Sequence, residues 1–443
     1  MKKIYIILLS FCLGTFYSCD DFLDITPTGE VIPETLEEYR GLIYEGYRTM
    51  PNERGKMALR TDEADITPAD NTAKDIYKDI WLWNDSNPSD YTVEYEWIKF
   101  YNLIYIANQI IENQNKIKEG SKDGVNQLVG EAYMMRAYMH FILANQYGKP
   151  YSSTASTDKA VPLKKSTNPN EVLPRNTVEE VYKSVLEDLV EAEKRLNVEV
   201  WEENYRYRFN TISVDALRSR VYLHMGNGYW DKCLTASQNV LAKQNSLVNL
   251  NVAAEGLPNH RKSPEIIVAK EQGITTSLAQ AIFVNKILLN QYKTGDMRKS
   301  RYYRAITASI YEVVARGNEY SCSFRTGEIY LNAAEAAFHE DDLDGAKNYL
   351  LTLCEKRYNT NGYTTVKAAI DALTTDDFLE FLHNERFKEL AFEGHRWYDL
   401  RRTTQPRIER VFQSETYVLE QGDPRYTLRI PPSAIKSNPG LAN

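Results

Sequence analysis

The sequence has 443 residues, enough for one large domain or two medium ones, and its 53 basic and 61 acidic residues give a formal net charge of −8. This acidic balance argues against nucleic acid as a partner and against a basic membrane-binding surface, because both depend on clustered Lys and Arg. The five cysteines show no C-x-x-C or Cys/His spacing, so neither a disulfide framework nor a metal site is predicted, and no cofactor is expected.

The first segment of the chain has the pattern of an export signal. Two lysines precede an apolar run at 4–16, which is shorter than the roughly 20 residues that span a bilayer. Cys19 follows the small residue Ser18, so we expect residues 1–18 to be removed and Cys19 to carry lipid. The sequence therefore predicts a lipid-anchored protein outside the cytoplasm.

Helical periodicity dominates the chain after this segment. Apolar residues recur at three- and four-residue intervals in 93–117, and alanines in 131–147 permit close helix approach. The prolines of 150–174 predict a surface loop. Thr177 and Glu180 then form a capping box, which predicts the start of another helix.

Two later segments, 213–243 and 327–357, each have the pattern of a helix, a turn and a second helix. The second segment carries small residues that indicate a tight helix–helix contact: Ala333, Ala334, Ala336, Ala337 and Ala346. Helix pairs of about 34 residues with small residues at the crossing are typical of tetratricopeptide repeats. We therefore predict a helix-pair scaffold over about 93–243 and 324–402.

Two regions interrupt this helical pattern, at about 51–90 and 244–323. Both contain many polar turn residues, and the second includes a short strand-like run at 265–269. We expect loops and small sheets over the helical scaffold. Binding residues are concentrated on such loops, so ligand recognition is expected in these two regions.

The segment 384–402 is dense in charge. Glu385, Glu389 and Glu393 recur every four residues, and like charges on one helix face repel unless cations neutralise them. The predicted partners are the arginines of the same segment: Arg386, Arg396, Arg401 and Arg402. Paired carboxylates could also serve a glycosidase, but acids interleaved with arginines favour a structural ion-pair network.

These motifs together resemble the SusD/RagB family of Bacteroidetes outer-membrane lipoproteins. The matching segments are 19–27, 130–148, 331–336, 385–402 and 429–439. The structural signature within the charged segment comprises Glu385, Arg386, Glu389, Glu393, Gly394, Arg396, Asp399 and Arg401.

The resemblance implies a mainly α, single SusD-like domain at 19–443, built on four tetratricopeptide-like helix pairs with an irregular ligand-binding half. It also implies a non-catalytic lipoprotein, anchored by lipid in the outer membrane and facing the cell exterior. Such a protein binds oligosaccharides and delivers them to a SusC-like TonB-dependent transporter. One alternative keeps this architecture and partner but has a peptide or other nutrient as ligand; others are a lipid-anchored glycoside hydrolase and a periplasmic repeat scaffold.

Sugar binding needs flat apolar faces and planar hydrogen-bonding groups, which aromatic and Asn, Asp or Arg side chains supply. Trp81 and Trp83 lie in a loop-like stretch, and alternate residues of an extended chain point the same way. They are therefore predicted to form an aromatic platform beside Asn84 and Asp85, although packing of the loop onto the helices remains the alternative. The resemblance adds candidates from the two irregular regions: Arg60, Asp62, Tyr292 and Tyr303.

Overall fold

The structure, a computed structural model, describes residues 33–67 and 70–442. The predicted signal segment, Cys19 and the motif at 19–27 lie outside these residues. Helices account for much more of the described chain than strands do, which confirms the mainly α prediction. Within the described ranges, every helix is too short or too polar to span a bilayer.

The secondary structure of the first part of the chain consists of α1 (Leu36–Thr49), α2 (Arg54–Leu59), β1 (Ala64–Ile66), α3 (Thr72–Trp81), α4 (Trp97–Asn113), α5 (Lys122–Tyr147), α6 (Val178–Glu193), α7 (Thr211–Met225) and α8 (Trp230–Lys243). The middle part contains β2 (Ile266–Val268), α9 (Thr276–Ala281), β3 (Ile282–Val284), α10 (Lys286–Gln291), α11 (Met297–Tyr302), β4 (Tyr303–Ala305), β5 (Tyr311–Val313) and β6 (Phe324–Arg325). The last part contains α12 (Thr326–His339), α13 (Leu343–Arg357), α14 (Thr360–Ala372), α15 (Thr375–Glu389), α16 (Arg396–Arg402), β7 (Ile408–Phe412), β8 (Glu415–Leu419) and α17 (Pro432–Ser437).

Side-chain caps set where the long helices begin. The Thr177 hydroxyl accepts a hydrogen bond from the Glu180 N–H, and the Glu180 carboxylate accepts one from the Thr177 N–H, which confirms the predicted capping box. Helix α5 begins at Lys122, earlier than the predicted block at 131–147. The reason is Ser121, whose hydroxyl accepts from the Gly124 N–H at 3.0 Å and starts the helix there.

The two predicted helix pairs are confirmed as α7–α8 and α12–α13. The turn between α7 and α8 contains Gly226 and Gly228, both with positive φ angles, a conformation that glycine adopts without steric penalty. The alanines of α12 and Ala346 of α13 are fully buried, so the helices approach closely. Helix α8 also packs on α12, and α5 packs on both α4 and α6.

The two irregular regions come together in space. Strand β1 from the first region pairs antiparallel with β3 from the second, with Ala64 opposite Val284. Four two-stranded antiparallel sheets are described in all: β1–β3, β2–β6, β4–β5 and β7–β8. The expectation of loops and small sheets was incomplete, because both regions also contain short helices, α2 and α3 in the first and α9 to α11 in the second.

Buried side chains form separate hydrophobic clusters in the two halves of the molecule. The largest cluster lies among α1, α4, α5, α6 and α7, and a second lies between the two irregular regions. A third cluster fills the space among α12 to α15. Cys233, Cys322 and Cys354 are free and buried. The helical scaffold therefore supports a mixed half that has its own core.

Candidate ligand-binding site

The acidic residues of segment 384–402 form a buried ion network. Glu389 pairs with Arg325 at 2.7 Å and with Arg357 at 2.8 Å, and Glu385 pairs with Arg298 at 2.7 Å. Glu393 pairs with Arg325 at 2.9 Å. All these side chains are at most 6% exposed. The structural interpretation is supported, but the predicted partners were wrong, because the neutralising arginines come from α11, β6 and α13.

Ionisation of these glutamates depends on their partners. Burial alone would raise the pKa of Glu389, but the charges of Arg357 and Arg325 outweigh burial and lower this pKa to about 2. Glu385 behaves in the same way, since burial is outweighed by Lys388 and Arg298 and its pKa is also about 2. Glu393 lies beyond the end of α15 and so does not share a helix face with the other two. Glu385 and Glu389 therefore stay ionised and paired with these cations.

The arginines of this segment pair with other groups. Arg386 contacts Asp399 at 2.8 Å, Arg402 contacts Glu335, and Arg401 donates to the Gly148 carbonyl. Gly394 has a φ of +78°, and a Cβ at this position would lie 2.7 Å from the Cβ of Arg54, so only glycine fits. The signature residues therefore hold α15 and α16 against the rest of the fold.

Trp81 and Trp83 do not form the exposed platform that the sequence suggested. Trp81 is the last residue of α3, and Trp83 has a positive φ of 55°, so the stretch is not extended. The two side chains are only 3% and 1% exposed. Their indole N–H groups donate to the carbonyls of Ala64 and Arg60, both at 3.0 Å. The alternative, packing of this stretch onto the core, describes both residues.

Arg410, in the β7–β8 hairpin, covers the faces of both indoles. The Arg410 guanidinium lies 4.8 Å from the ring centre of Trp81 and 4.1 Å from that of Trp83. Arg410 also donates to the backbone carbonyls of Trp81 and Thr61. The surfaces that a sugar ring would use are therefore occupied by a side chain of the same protein.

The other predicted contacts are divided among different sites. Arg60 is fully buried and makes a two-pronged ion pair with Asp85, at 2.7 and 2.9 Å. Asp62 pairs with Arg396 at 2.7 Å and lines a separate cleft of about 490 Å³. Arg60, Trp83 and Asp85 thus lie together and support residues 84–92, which we name the Asn84 loop. Asp62 lies in a different part of the structure.

Tyr292 and Tyr303 lie in the second hydrophobic cluster. They are 6% and 4% exposed, and their hydroxyl oxygens are 2.9 Å apart. Tyr292 also donates to the Lys388 carbonyl at 3.0 Å. Both hydroxyls are satisfied within the protein, and burial raises the pKa of both phenols. In this conformation neither ring is available to a ligand.

Asn84 lies between two open clefts. The first, which we name the Ile430 cleft, has a volume of about 630 Å³ and lies between 84–95 and 428–435. The second, the Tyr417 cleft, has a volume of about 460 Å³ and lies between the Asn84 loop and the β7–β8 hairpin. Both volumes are in the range of small-ligand sites.

The Tyr417 cleft combines aromatic, amide and cationic groups. Its lining comprises Lys78, Asp79, Leu82, Trp83, Asn84, Ser86, Phe412, Gln413, Tyr417 and Arg425. Phe412 and Tyr417 are partly exposed, unlike the tryptophans. Aromatic faces beside Asn84 and Gln413 amides match what carbohydrate recognition requires.

Asp79 holds the wall that the two clefts share. Its carboxylate accepts hydrogen bonds from the Ser89 N–H at 2.8 Å, the Thr92 hydroxyl at 2.6 Å and the Asn84 amide at 3.1 Å. Burial raises the pKa of Asp79, but these hydrogen bonds outweigh burial and the pKa is lowered. Asp79 therefore stays ionised and fixes the position of Asn84.

Phe412, Gln413 and Tyr417 were not among the residues predicted from sequence. The available signal was a hairpin, since β-branched and aromatic residues are frequent on both sides of Gln413-Ser414, where both residues have positive φ angles. The pairing of Phe412 with Glu415 closes the turn. The position of this hairpin beside the Asn84 loop depends on contacts between residues that are far apart in sequence.

Fold and site together define the class of the protein: a helical-repeat scaffold with a mixed half that carries open clefts. Two family models match consecutive parts of the chain. One, described as "Starch-binding associating with outer membrane", matches residues 21–223, and the other, described as "SusD family", matches residues 283–443. The chain belongs to the SusD/RagB family, as its motifs predicted.

Individual relatives support the same assignment. SusD-like protein P38 of Formosa agariphila is 22% identical over 90% of both chains. A SusD superfamily protein from Bacteroides fragilis has a TM-score of 0.78 and 21% identity, covering 93% of this chain and all of that one. A laminarin-binding SusD-like protein has a TM-score of 0.62 and 17% identity, covering 84% of this chain and 92% of its own. At these identities the solved structures show a shared fold.

Proposed function

We propose that this protein is a cell-surface lipoprotein that captures oligosaccharides in the Tyr417 cleft and delivers them to a SusC-like TonB-dependent transporter. The observation that carries the proposal is an open cleft with aromatic and amide groups on a SusD/RagB fold. The laminarin-binding relative and the description of the first family model support a glycan ligand. The role is non-catalytic, with the charged segment committed to structural ion pairs.

The ligand contacts that we propose differ from the set predicted from sequence. Asn84 is retained, because its amide lies in the wall of the Tyr417 cleft. Asp85 is retained as its support, through the ion pair with Arg60. Phe412 and Tyr417 take the stacking role that had been expected of the tryptophans.

Calorimetry with a panel of oligosaccharides tests this site. Replacing Tyr417 by Ala should weaken binding at least about tenfold, because aromatic stacking on a sugar is lost. The matched control is Tyr105→Ala, since Tyr105 is exposed on α4 away from the cleft. Equal binding by both variants would contradict the site, and release of shortened sugars would contradict the non-catalytic role and favour the hydrolase.

Localisation and partner are tested in intact cells. We expect Cys19→Ala to abolish lipid labelling and outer-membrane retention.

Protease added to intact cells should digest the protein, because the proposed orientation faces the exterior; protection would favour the periplasmic scaffold. Affinity purification of the tagged protein from solubilised outer membranes should recover a SusC-like transporter, and its absence would count against the proposed partner.

A peptide ligand is the second candidate, and the Ile430 cleft is the observation that favours it. Its lining is largely apolar and includes Ile80, Val93, Leu428, Ile430 and Pro431. In the described part of the chain, the backbone N–H groups of Arg429 and Ile430 have no hydrogen-bond partner. An extended peptide could pair with such an edge. Binding of peptides without binding of oligosaccharides in the same calorimetry would establish this alternative.

A further inference from the structure

The charges around the two clefts differ in sign. The Ile430 cleft is lined by three carboxylates, Asp79, Asp85 and Glu94, and by one cation, Arg429. The Tyr417 cleft is lined by two cations, Lys78 and Arg425, and by Asp79 alone among the acids. The protein as a whole is acidic, with a formal net charge of −8. A cleft with an excess of cations is therefore a local exception.

The single acid of the Tyr417 cleft is not free to bind a ligand. The Asp79 carboxylate already accepts three hydrogen bonds from the Asn84 loop, and its residue is only 6% exposed. Three of the roughly four acceptor positions of this carboxylate are thus occupied within the protein. The charged groups that remain to meet a ligand in this cleft are therefore the two cations, beside neutral amide, hydroxyl and aromatic groups.

Both cations of the cleft retain unused hydrogen-bonding capacity. Across the residues that the structure describes, the Lys78 ammonium has neither an ion-pair nor a hydrogen-bond partner. The Arg425 guanidinium is held through Nε and Nη2 by Asp423, at 3.0 and 2.6 Å, and Nη2 also donates to the Val418 carbonyl. Its Nη1 has no partner among the described residues. Arg425 is thus fixed in orientation with one nitrogen unsatisfied.

We propose that the Tyr417 cleft selects oligosaccharides that carry an anionic group, with Lys78 and Arg425 as its recognition pair. This inference rests on the proposed function and specifies its ligand. A uronic carboxylate and a sulfate ester share the required chemistry, because both present several charge-dense oxygens to N–H donors. Phe412 and Tyr417 contact the sugar rings, and the cations contact the charged substituent.

Three oligosaccharide probes of similar length test whether the cleft prefers a carboxylate, a sulfate ester or no charge. They are oligogalacturonate, sulfated carrageenan oligosaccharide and uncharged laminarin oligosaccharide. At low ionic strength we expect at least one anionic probe to bind about tenfold more tightly than the uncharged probe. Sodium chloride should weaken this binding and leave the uncharged probe unaffected. The stronger of the two anionic probes identifies the charged group.

Lys78→Gln tests the assignment of the recognition pair. This substitution should weaken binding of the anionic probe about tenfold and change binding of the uncharged probe by a much smaller factor. Arg429→Gln is the matched control, because it removes one exposed cation from the neighbouring Ile430 cleft. Arg425→Gln provides a second measurement of the same site. The unfolding midpoint of each variant verifies that the fold is intact.

The outcomes separate the anionic preference of the Tyr417 cleft from oligosaccharide capture itself. If the uncharged probe binds as tightly as the anionic ones and Lys78→Gln has no effect, the anionic preference is overturned and oligosaccharide capture stands. If none of the three probes binds, both the anionic preference and oligosaccharide capture are overturned. If Arg429→Gln weakens anionic binding as much as Lys78→Gln, the charge acts from the Ile430 cleft and the assignment to the Tyr417 cleft is wrong.

Discussion

At the scale of single residues, Arg410 shows how distant parts of the chain fix one another. Its guanidinium is buried, and no carboxylate lies within ion-pair distance among the described residues. Two indole faces and two backbone carbonyls stabilise the charge instead. Burial lowers the pKa of Arg410 and is the main energetic penalty. This single side chain positions the β7–β8 hairpin, and so one wall of the Tyr417 cleft.

We predict that Arg410→Met lowers the free energy of unfolding by about 3 kcal/mol, because two buried carbonyls lose their donor and the indoles lose their partner. Urea unfolding followed by tryptophan fluorescence measures the change. Arg407→Met is the control, since Arg407 is exposed at the start of the same hairpin and should change stability by less than about 0.5 kcal/mol. Equal effects of the two substitutions would contradict this role for Arg410.

The tryptophan pair also shows a limit of sequence interpretation. Alternation at Trp81 and Trp83 predicted a shared direction, which requires an extended backbone. The backbone instead leaves a helix and enters a positive φ. The covering residue, Arg410, is 329 positions from Trp81, so no local pattern could reveal it. Asn84 lies in the lining of both clefts, and its contact with a ligand stays a prediction.

At the scale of helices, periodicity and caps made most of the scaffold predictable. The segment 213–243 corresponds to α7 and α8, and Gly226 ends the first helix as its composition indicated. Short helices were missed for a physical reason. Helix α2 has only six residues, and all of them, including Arg54 and Lys56, are buried, so its sequence shows no amphipathic period.

We predict that Ala336→Leu, at the contact of α12 with α7 and α8, lowers the free energy of unfolding by about 2 kcal/mol. Ala336 is fully buried beside Leu223, Trp230 and Cys233, so added methyl groups must displace packed atoms. Thermal unfolding measures the loss. The control is Ala369→Leu on the exposed side of α14, where the larger side chain reaches solvent. A stable Ala336→Leu variant would mean that the helix pairs are loosely packed.

At the scale of the whole molecule, buried charge joins elements from distant parts of the chain. Glu265, Arg325, Arg357 and Glu389 form one connected group that links the irregular half to α13 and α15. The glutamate spacing revealed that cations were needed, but it could not identify them, because the arginines lie on other elements. Such a network fixes the relative position of the halves and makes stability depend on pH.

Each buried histidine contributes a loss of stability in mild acid. Burial, assisted by the charges of Arg136 and Lys165, lowers the pKa of His140 from 6.5 to about 3. The unfolded chain therefore binds a proton that the folded chain excludes between these values, and stability falls as the pH drops through this window. Burial also lowers the pKa of His224 and His395.

We predict that the change from pH 7 to pH 5 lowers the free energy of unfolding of the wild-type protein by about 2 kcal/mol more than that of His140→Leu, because only the unfolded wild type binds a proton at His140 in this range. Urea titrations at the two pH values measure the loss, and His140→Leu should recover the part that is due to His140. The control is Met139→Leu, because Met139 is as deeply buried in the same helix as His140 and carries no titratable group. If His140→Leu retains the full pH dependence, the proton is bound elsewhere.

The antiparallel arrangement of α1 and α4 separates the start of the described chain from the clefts by the length of a helix. Thr35, near the start of the described chain, pairs with Lys118 beyond one end of α4, whereas Glu94 and Tyr95 line the Ile430 cleft just before its other end. Helix α4 has 17 residues and is therefore about 25 Å long. If the protein pivots on a lipid attached upstream of Thr35, a rotation of about 20° would displace the clefts by roughly 9 Å over this length. A small hinge movement at the membrane would thus carry a bound oligomer through the width of a sugar unit or more.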